Sequence, residues 1–354
     1  MTAPLPLCVI GGGVIGLRHA QVAGLSDRVH LTAIVEPDAA RRALLADRGL
    51  PVVADPDDVP ETTRACVVAT PTPAHLPASR AALDRGWPLI VEKPLAGTLD
   101  DAQALIDAAD AAGLPLITGH HRRCHPFSQA ARAALARIGA PVGVQGLWSL
   151  RKHASYYEVP WRTQPGAGPI LTNLSHEIDL LAFFFGQVTE VTALTANARR
   201  GHAIEDSAAI ALRFDNGALG SFLMSDAGAS PWAFEAASGE NPAIATSGED
   251  YLRFVGTEGA LAFPSLTFWG ASGPGEIEWS KPLTRAAGQT FGKLDPLLEQ
   301  MNRFAALVAG GTDDVLCSAK AGRDALEMTL ATALSARTGT PVARGAVPGD
   351  FDGT

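Results

Sequence analysis

The chain is short of positive charge, of cysteine and of long apolar runs, and each shortage closes off a class of protein. Its 354 residues carry 28 Lys and Arg against 37 Asp and Glu, a formal net charge of −9. A surface drawn from that balance does not gather polyanions, so nucleic acid and anionic membrane are not the expected partners. Only four cysteines occur, Cys8, Cys66, Cys124 and Cys317, with no C-x-x-C pair among them. That spacing disfavours both a disulfide framework and a zinc site, and no metal is expected. Cys8 and Cys66 stand inside apolar runs, where a thiol behaves as a small hydrophobe. The longest unbroken apolar run, Leu180 to Phe185, is far too short for a bilayer span. Met1 to Leu7 holds two prolines and no basic stretch, unlike a signal peptide. No repeat of fixed period is present. The expectation is a reduced, cytoplasmic, soluble protein.

What the chain does have is apolar material, 47% hydrophobic residues, in a length that suits two domains rather than one core. Over residues 1–121, short β-rich runs alternate with Ala- and Leu-rich helical stretches. Strands are read at Leu7 to Ile10, His30 to Val35, Cys66 to Ala69, Leu89 to Val91 and Leu116 to Ile117. Apolar strands buried on both faces and separated by helices predict an α/β fold, a Rossmann doubly wound parallel sheet. Over 122–344 the pattern changes to longer alternating strands at Val142 to Leu150, Val188 to Asn197, Ser207 to Phe214, Ala218 to Met224 and Tyr251 to Val255, with a hairpin turn at Asp215-Asn216-Gly217. Helices are expected at Pro126 to Ile138, His176 to Phe185, Asp295 to Val308 and Ala319 to Ala336. This predicts an α+β domain with a large, mainly antiparallel open sheet. Residues 345–354 read as a loose tail.

Between the first strand and the first helix, Gly11-Gly12-Gly13-Val14-Ile15-Gly16 fits G-x-G-x-x-G. The first glycine permits a tight turn, the second lets the backbone approach a pyrophosphate, and the third lets helix and strand pack closely. Gly11, Gly13, Val14, Ile15 and Gly16 are therefore candidate cofactor contacts. The motif alone is weak, but Glu36 closes the second strand twenty residues past Gly16, where an acid accepts from the adenosine ribose hydroxyls. A carboxylate there favours NAD over NADP, while NADP stays open; Arg41 and Arg42 close by read as solvated helix-face residues.

Lysine is scarce, five residues against 23 arginines. One of them, Lys93, follows the strand Leu89 to Val91, and the C-terminal ends of parallel strands are where open α/β sheets bind ligands. Beside a cationic nicotinamide its ammonium form is disfavoured, which makes it a usable proton acceptor. With Lys93 in view, the chain resembles the Gfo/Idh/MocA oxidoreductases, the group of glucose–fructose oxidoreductase and inositol dehydrogenase. Four pieces carry the resemblance: Gly11 to Gly16 with His19; Ala69-Thr70-Pro71-Thr72-Pro73-Ala74-His75; Glu92-Lys93-Pro94-Leu95; and Gly166-Ala167-Gly168-Pro169 leading to His176-Glu177-Ile178-Asp179.

The resemblance implies a nicotinamide-dependent dehydrogenase acting on a secondary alcohol of a sugar, cyclitol or related polyol, built as a homodimer or homotetramer through the second-domain sheet. Lys93 and His176 would be its catalytic pair, with Lys93-Pro94 often cis. Thr70, Thr72, His75, Glu92, Lys93 and Arg162 would face the cofactor. Lys93, His121, Trp161, Thr172, Asn173 and His176 would meet the substrate, and Arg123 would mark the domain junction. The same motifs also fit an NAD-using glycosidase or lyase with transient oxidation, or a non-catalytic dinucleotide sensor.

One position departs from the family. Thr172 stands where inositol dehydrogenase-like members carry aspartate, so a lysine–aspartate–histidine relay is not expected; Thr172 and Asn173 remain able to hydrogen-bond a sugar hydroxyl. Asp179, three residues after His176, falls on the same side of a helix and would fix the imidazole tautomer. Glu177 is expected in solvent. His120 and His121, adjacent in an extended segment, point apart and do not form a metal site. Lys152, His153, Tyr156 and Tyr157 fit a pocket wall and an ordinary loop equally well. Ser238 to Pro242 reads as a surface loop.

Overall fold

Apolar runs of two to seven residues, rich in leucine and β-branched side chains, build the first half of the molecule. In the computed structural model, which describes residues 3–271, 273, 277–289 and 294–354, these runs become β1 (Leu5–Ile10), β2 (Val29–Val35), β3 (Val52–Val53), β4 (Ala65–Val68), β5 (Leu89–Val91) and β6 (Leu116–Thr118). All pair in parallel, in the order β3-β2-β1-β4-β5-β6. The crossovers are α1 (Val14–Ala23), α2 (Ala39–Ala46), α3 (His75–Leu83) and α4 (Leu99–Ala112). Leu7 to Val9, Cys66 to Val68 and Leu89 to Val91 are wholly removed from water, as a sheet covered on both faces requires. Thr98 caps α4 by accepting from Asp101 N–H, and Gly113 ends that helix in the left-handed region at φ 65°.

The second half holds α5 (Pro126–Ala134), β7 (Pro141–Ser149), α6 (Ser175–Phe184), β8 (Val188–Ala196), β9 (Ser207–Phe214), β10 (Leu219–Ser225), α7 (Phe234–Ser238), β11 (Leu252–Gly256), β12 (Gly259–Phe263), β13 (Phe268–Ala271) and β14 (Leu283–Ala286). After α8 (Pro296–Val308) and α9 (Ala319–Thr338), β15 (Val342–Ala343) closes the set. Among the described residues the sheet has nine strands, ordered β14-β13-β12-β11-β7-β10-β9-β8-β15. Only β7 and β10 run parallel; every other neighbouring pair is antiparallel. Strict alternation of buried and exposed residues along β9 leaves one face open. The other face packs on an aromatic core that includes Trp148, Phe214, Tyr251, Phe254 and Phe263. Gly217, at φ 85°, turns β9 into β10 where the sequence marks a hairpin.

The chain divides into two compact units differently from a single cut after residue 121. The first comprises the described residues of Met1–Cys124 together with Asp295–Leu326; the second comprises those of His125–Leu294 and Glu327–Thr354. The returning segment belongs with the parallel sheet because its polar and apolar groups are matched there. Asp295 pairs with Arg18, Ser26 Oγ donates to Asn302 at 2.6 Å, and Thr118 N–H donates to Cys317 O at 2.8 Å. The expected loose tail is also corrected. Val347 and Phe351 are buried, and the Arg337 guanidinium stacks 4.6 Å from the centre of the Phe351 ring. Among the described residues no helix is long and apolar enough to cross a membrane.

Candidate functional site

The glycine loop of the first unit is shaped by contacts that no side chain could share. A Cβ on Gly16 would lie 1.8 Å from Gly11 O, and one on Gly11, itself at φ 105°, would lie 2.6 Å from Ala69 O. Gly13 differs, since a Cβ there would meet nothing within 4 Å. The space beside it is open, and Gly13 caps α1 with no side-chain acceptor for the first backbone N–H groups. Val14, next in line, is 85% exposed. An unfilled cradle at a helix N-terminus fits a pyrophosphate. Glu36 closes the cradle on the far side: its Oε2 accepts from Gly12 N–H at 3.0 Å and its Oε1 from Asp38 N–H at 2.9 Å. The loop and its acid therefore fit a dinucleotide.

At the end of β5, Glu92 is buried and doubly held. Its Oε1 lies 2.7 Å from His19 Nε2 on α1, and its Oε2 accepts from Lys93 N–H at 3.1 Å. Burial alone would raise this carboxyl's pKa, but the His19 hydrogen bond and the positive charge of His19, His121 and Lys93 outweigh it and hold it down at about 2. The Lys93-Pro94 peptide is cis. His75 is buried beneath the turn that follows. Its Nδ1 lies 2.9 Å from Pro94 O and 3.3 Å from Leu95 O, and its Nε2 lies 3.0 Å from Thr70 O. The imidazole is thus a brace between the ends of β4 and β5, with both nitrogens on backbone carbonyls; burial lowers its pKa against those bonds. Thr70 Oγ1 is buried without a hydrogen-bond partner, and Thr72 opens the short 3₁₀ turn before α3.

In the second unit, Ile170–Leu174 form a π-helical turn that runs straight into α6. Such widened turns recur at functional sites, and this one carries Thr172 and Asn173 and leads to buried His176. Glu205 anchors the turn by accepting from Ile170 N–H at 2.9 Å. Its carboxylate lies so close to Gly168 that a Cβ there would come within 2.1 Å of it. Burial raises the Glu205 pKa, with the Ile170 N–H opposing. Asn173 Oδ1 accepts from Lys152 Nζ at 3.1 Å. Since an ammonium only donates, this bond decides which way the amide faces. Lys152 is half-buried near Asp226 (3.5 Å), whose other oxygen accepts from Arg200 Nε at 2.9 Å. Burial lowers the Lys152 pKa and Asp226 counters that. Tyr157 OH also donates to Asp226, and Arg162 stacks on the Tyr156 ring at 4.1 Å.

Two models of known protein families match this chain. Residues 6–120 match the model described as "Oxidoreductase family, NAD-binding Rossmann fold", and residues 128–262 match "GFO/IDH/MocA C-terminal domain". The chain belongs to the Gfo/Idh/MocA family.

Similar curated proteins include a 1,5-anhydro-D-fructose reductase of Ensifer adhaerens, 33% identical over 48% of this chain and 51% of that one. An inositol 2-dehydrogenase of an Arthrobacter species is 31% identical over 59% of this chain and 61% of its own length. The chain thus spans about half the length, or somewhat more, of the curated relatives it matches. Among solved structures, an oxidoreductase from Agrobacterium radiobacter in complex with NAD+, L-tartaric acid and magnesium superposes with a TM-score of 0.79. Identity there is 21%, covering 98% of this chain and 99% of that chain. At that identity the likeness is one of fold.

Within each unit the structure gathers most of the family positions. In the first, Gly11 to Gly16, Glu36, Thr70, Thr72, Glu92 and Lys93 stand at the C-terminal ends of adjacent strands. His120, His121 and Arg123 follow β6; His121–Cys124 form a 3₁₀ turn, not the extended segment expected, and Arg123 is buried one residue before that unit's first segment ends. In the second, Lys152, Tyr156, Tyr157 and Arg162 cluster around the Tyr156 ring, while His153 is exposed against Ser155. Trp161 is 56% exposed. Glu177 is a correction: it is buried, with its Oε2 accepting from Tyr251 OH at 3.0 Å. Arg41 and Arg42 are half-exposed, with their guanidiniums folded back onto backbone carbonyls. Asp226, Arg200 and Glu205 had no motif to mark them. The only signal was indirect, a glycine at 168 that some neighbour had to require.

Proposed function

We propose that this chain is a nicotinamide-dependent dehydrogenase acting on a secondary alcohol of a sugar, cyclitol or related polyol. The observation that carries the reading is Lys93 at the end of β5, its backbone held by Glu92, in the same unit as a glycine loop cut for a dinucleotide. The names of its relatives, a reductase of an anhydro sugar and an inositol dehydrogenase, support the substrate class.

Gly11 to Gly16 hold the pyrophosphate, Glu36 holds the adenosine ribose, and Thr70 and Thr72 line the nicotinamide half. The dinucleotide, when bound, supplies the hydride chemistry. Lys93 accepts the proton of the hydroxyl as the alcohol is oxidised and returns it in the reverse direction. His176 and Asn173 hydrogen-bond the substrate, Asn173 as an amide whose oxygen is committed to Lys152. Thr172 Oγ1 donates to Gly168 O at 2.9 Å and is no proton-relay carboxylate. We place the protein in the cytoplasm, where its four buried thiols suit a reducing medium. The open face of the second sheet carries a row of apolar residues across neighbouring strands. Leu194, Ala209, Leu223 and Leu147 are register partners in that row, and it supports assembly into a homodimer or homotetramer.

The test is a panel of sugars, sugar acids and inositols with NAD+ and NADP+, followed at the reduced-nicotinamide absorbance band. Lys93→Met is expected to lower kcat by about 10²- to 10⁴-fold with dinucleotide still bound. Near-normal turnover would remove Lys93 from the role, and bond cleavage without net reduced nicotinamide would favour a transient-oxidation lyase or glycosidase.

A further inference from the structure

A cavity of about 360 Å³ lies wholly within the second unit, beside the π-helical turn. Its walls include Gly168 and Leu171 from the turn and its approach, Asn197 just past β8, Glu205, and Ala336 and Arg337 of α9. Thr172, Asn173 and His176 do not line it, so it stands apart from the residues assigned to the polyol. The volume falls in the range of small-molecule pockets. Among the described residues Glu205 is the sole acid on these walls and forms no ion pair. Its carboxylate accepts from Ile170 N–H at 2.9 Å. Burial raises its pKa, with the Ile170 N–H opposing; Asp226 adds to the rise and Lys152 works against it, but those two pair with each other at 3.5 Å. The basic group on the same walls is engaged elsewhere. Arg337 stacks on the Phe351 ring, and its Nη1 donates to Thr354 O.

A carboxylate offers about four lone-pair sites, more than the backbone N–H groups around Glu205 use. Removing that charge from water without a cation beside it is costly. The missing complement is a positive group with several donors. One carboxylate supplies too few ligands for a bare divalent metal ion, whereas an ammonium needs no more than this. The Arg337 charge on the same walls disfavours a second ammonium on the same molecule. Asn197 Nδ2 donates to His202 O at 2.9 Å, which leaves its oxygen to accept from a hydroxyl. We propose that this cavity is a binding site for a small hydroxylated monoamine, an amino alcohol whose ammonium pairs with Glu205. Its seat shares Glu205 with the first N–H of the turn that carries Thr172 and Asn173.

The inference stands independently of the dehydrogenase reading, and its test needs neither dinucleotide nor turnover. The full chain is titrated calorimetrically with 2-amino-1,3-propanediol and D-glucosamine, each beside the neutral molecule that has a hydroxyl in place of the amine, glycerol and D-glucose. At least one amine is expected to bind about tenfold or more tightly than its neutral match, the worth of a charge-assisted hydrogen bond. Glu205→Gln, which removes the charge and keeps an acceptor oxygen, is expected to bring that ratio to about one. Because Glu205→Gln also touches the turn, Ala336→Leu gives a separate reading: it fills the cavity from α9, leaves the acid in place and is expected to weaken amine binding by about tenfold or more. Amines that bind no better than their neutral matches overturn the proposal. So does a preference that survives Glu205→Gln, and so does amine binding untouched by Ala336→Leu, which would put the ligand elsewhere.

Discussion

Gly168 and Glu205 make the case for reading a site residue by residue. The carboxylate that accepts from Ile170 N–H occupies the volume a side chain at 168 would need. Gly168→Ala is expected to destabilise the chain by about 1–3 kcal/mol, the range for forced overpacking, measured by urea unfolding. Adding Glu205→Ala should recover part of that loss, because neighbours that share a contact are not additive. A full cost retained in the double variant would show that the close approach is not what requires the glycine. The glycines and His176 were legible in the sequence because they belong to short, spaced motifs. Asp226, Arg200 and Glu205 were not, since each acts on a partner 26 to 74 residues away and nothing in the local pattern records it.

At the level of elements, the His19–Glu92 pair joins α1 to the end of β5, and its charge state gives a pH signature. The Glu92 carboxyl sits at about 2 in the folded chain against an ordinary value of 4.5. A depressed acid stabilises the fold fully above its unfolded value and loses that contribution as pH falls through the folded one. His19→Leu, which strands a buried carboxylate, is expected to cost about 3–5 kcal/mol at neutral pH. The gap from wild type should narrow as pH falls from 4.5 toward 2. A gap that stayed constant over that interval would mean His19 does not act through the carboxylate. Strands and crossover helices of the first unit were legible because apolar runs alternate with capped helices. The π-helical turn at Ile170–Leu174 was not. Its polar Thr172 and Asn173 break the apolar period that marks a helix, and the anchoring acid lies 35 residues further on. The strands β12 to β15 also escaped notice, being short and set among glycines and prolines.

For the molecule as a whole, the open sheet face is the testable surface. Leu194 and Leu223 are 72% and 49% exposed, and both stand opposite Ala209 of β9. Leu194→Glu with Leu223→Glu is expected to reduce the particle mass by half or more in light scattering after size exclusion. An unchanged mass, or a monomeric wild type, would remove this face as the interface. The two-domain organisation was legible from the change of pattern near residue 121, but the partition was not, because composition does not say which helix covers which sheet. The return of Asp295–Leu326 to the first unit has a consequence for how the protein is made. The parallel sheet leaves the ribosome early, yet Asp295, the cap of the helix that answers Arg18, stands 177 residues after that sheet's last strand ends. The nucleotide-holding half must therefore wait, incomplete, while His125–Leu294 of the antiparallel half is translated, and splitting the gene after the first 121 codons would yield a fragment missing part of its own interior.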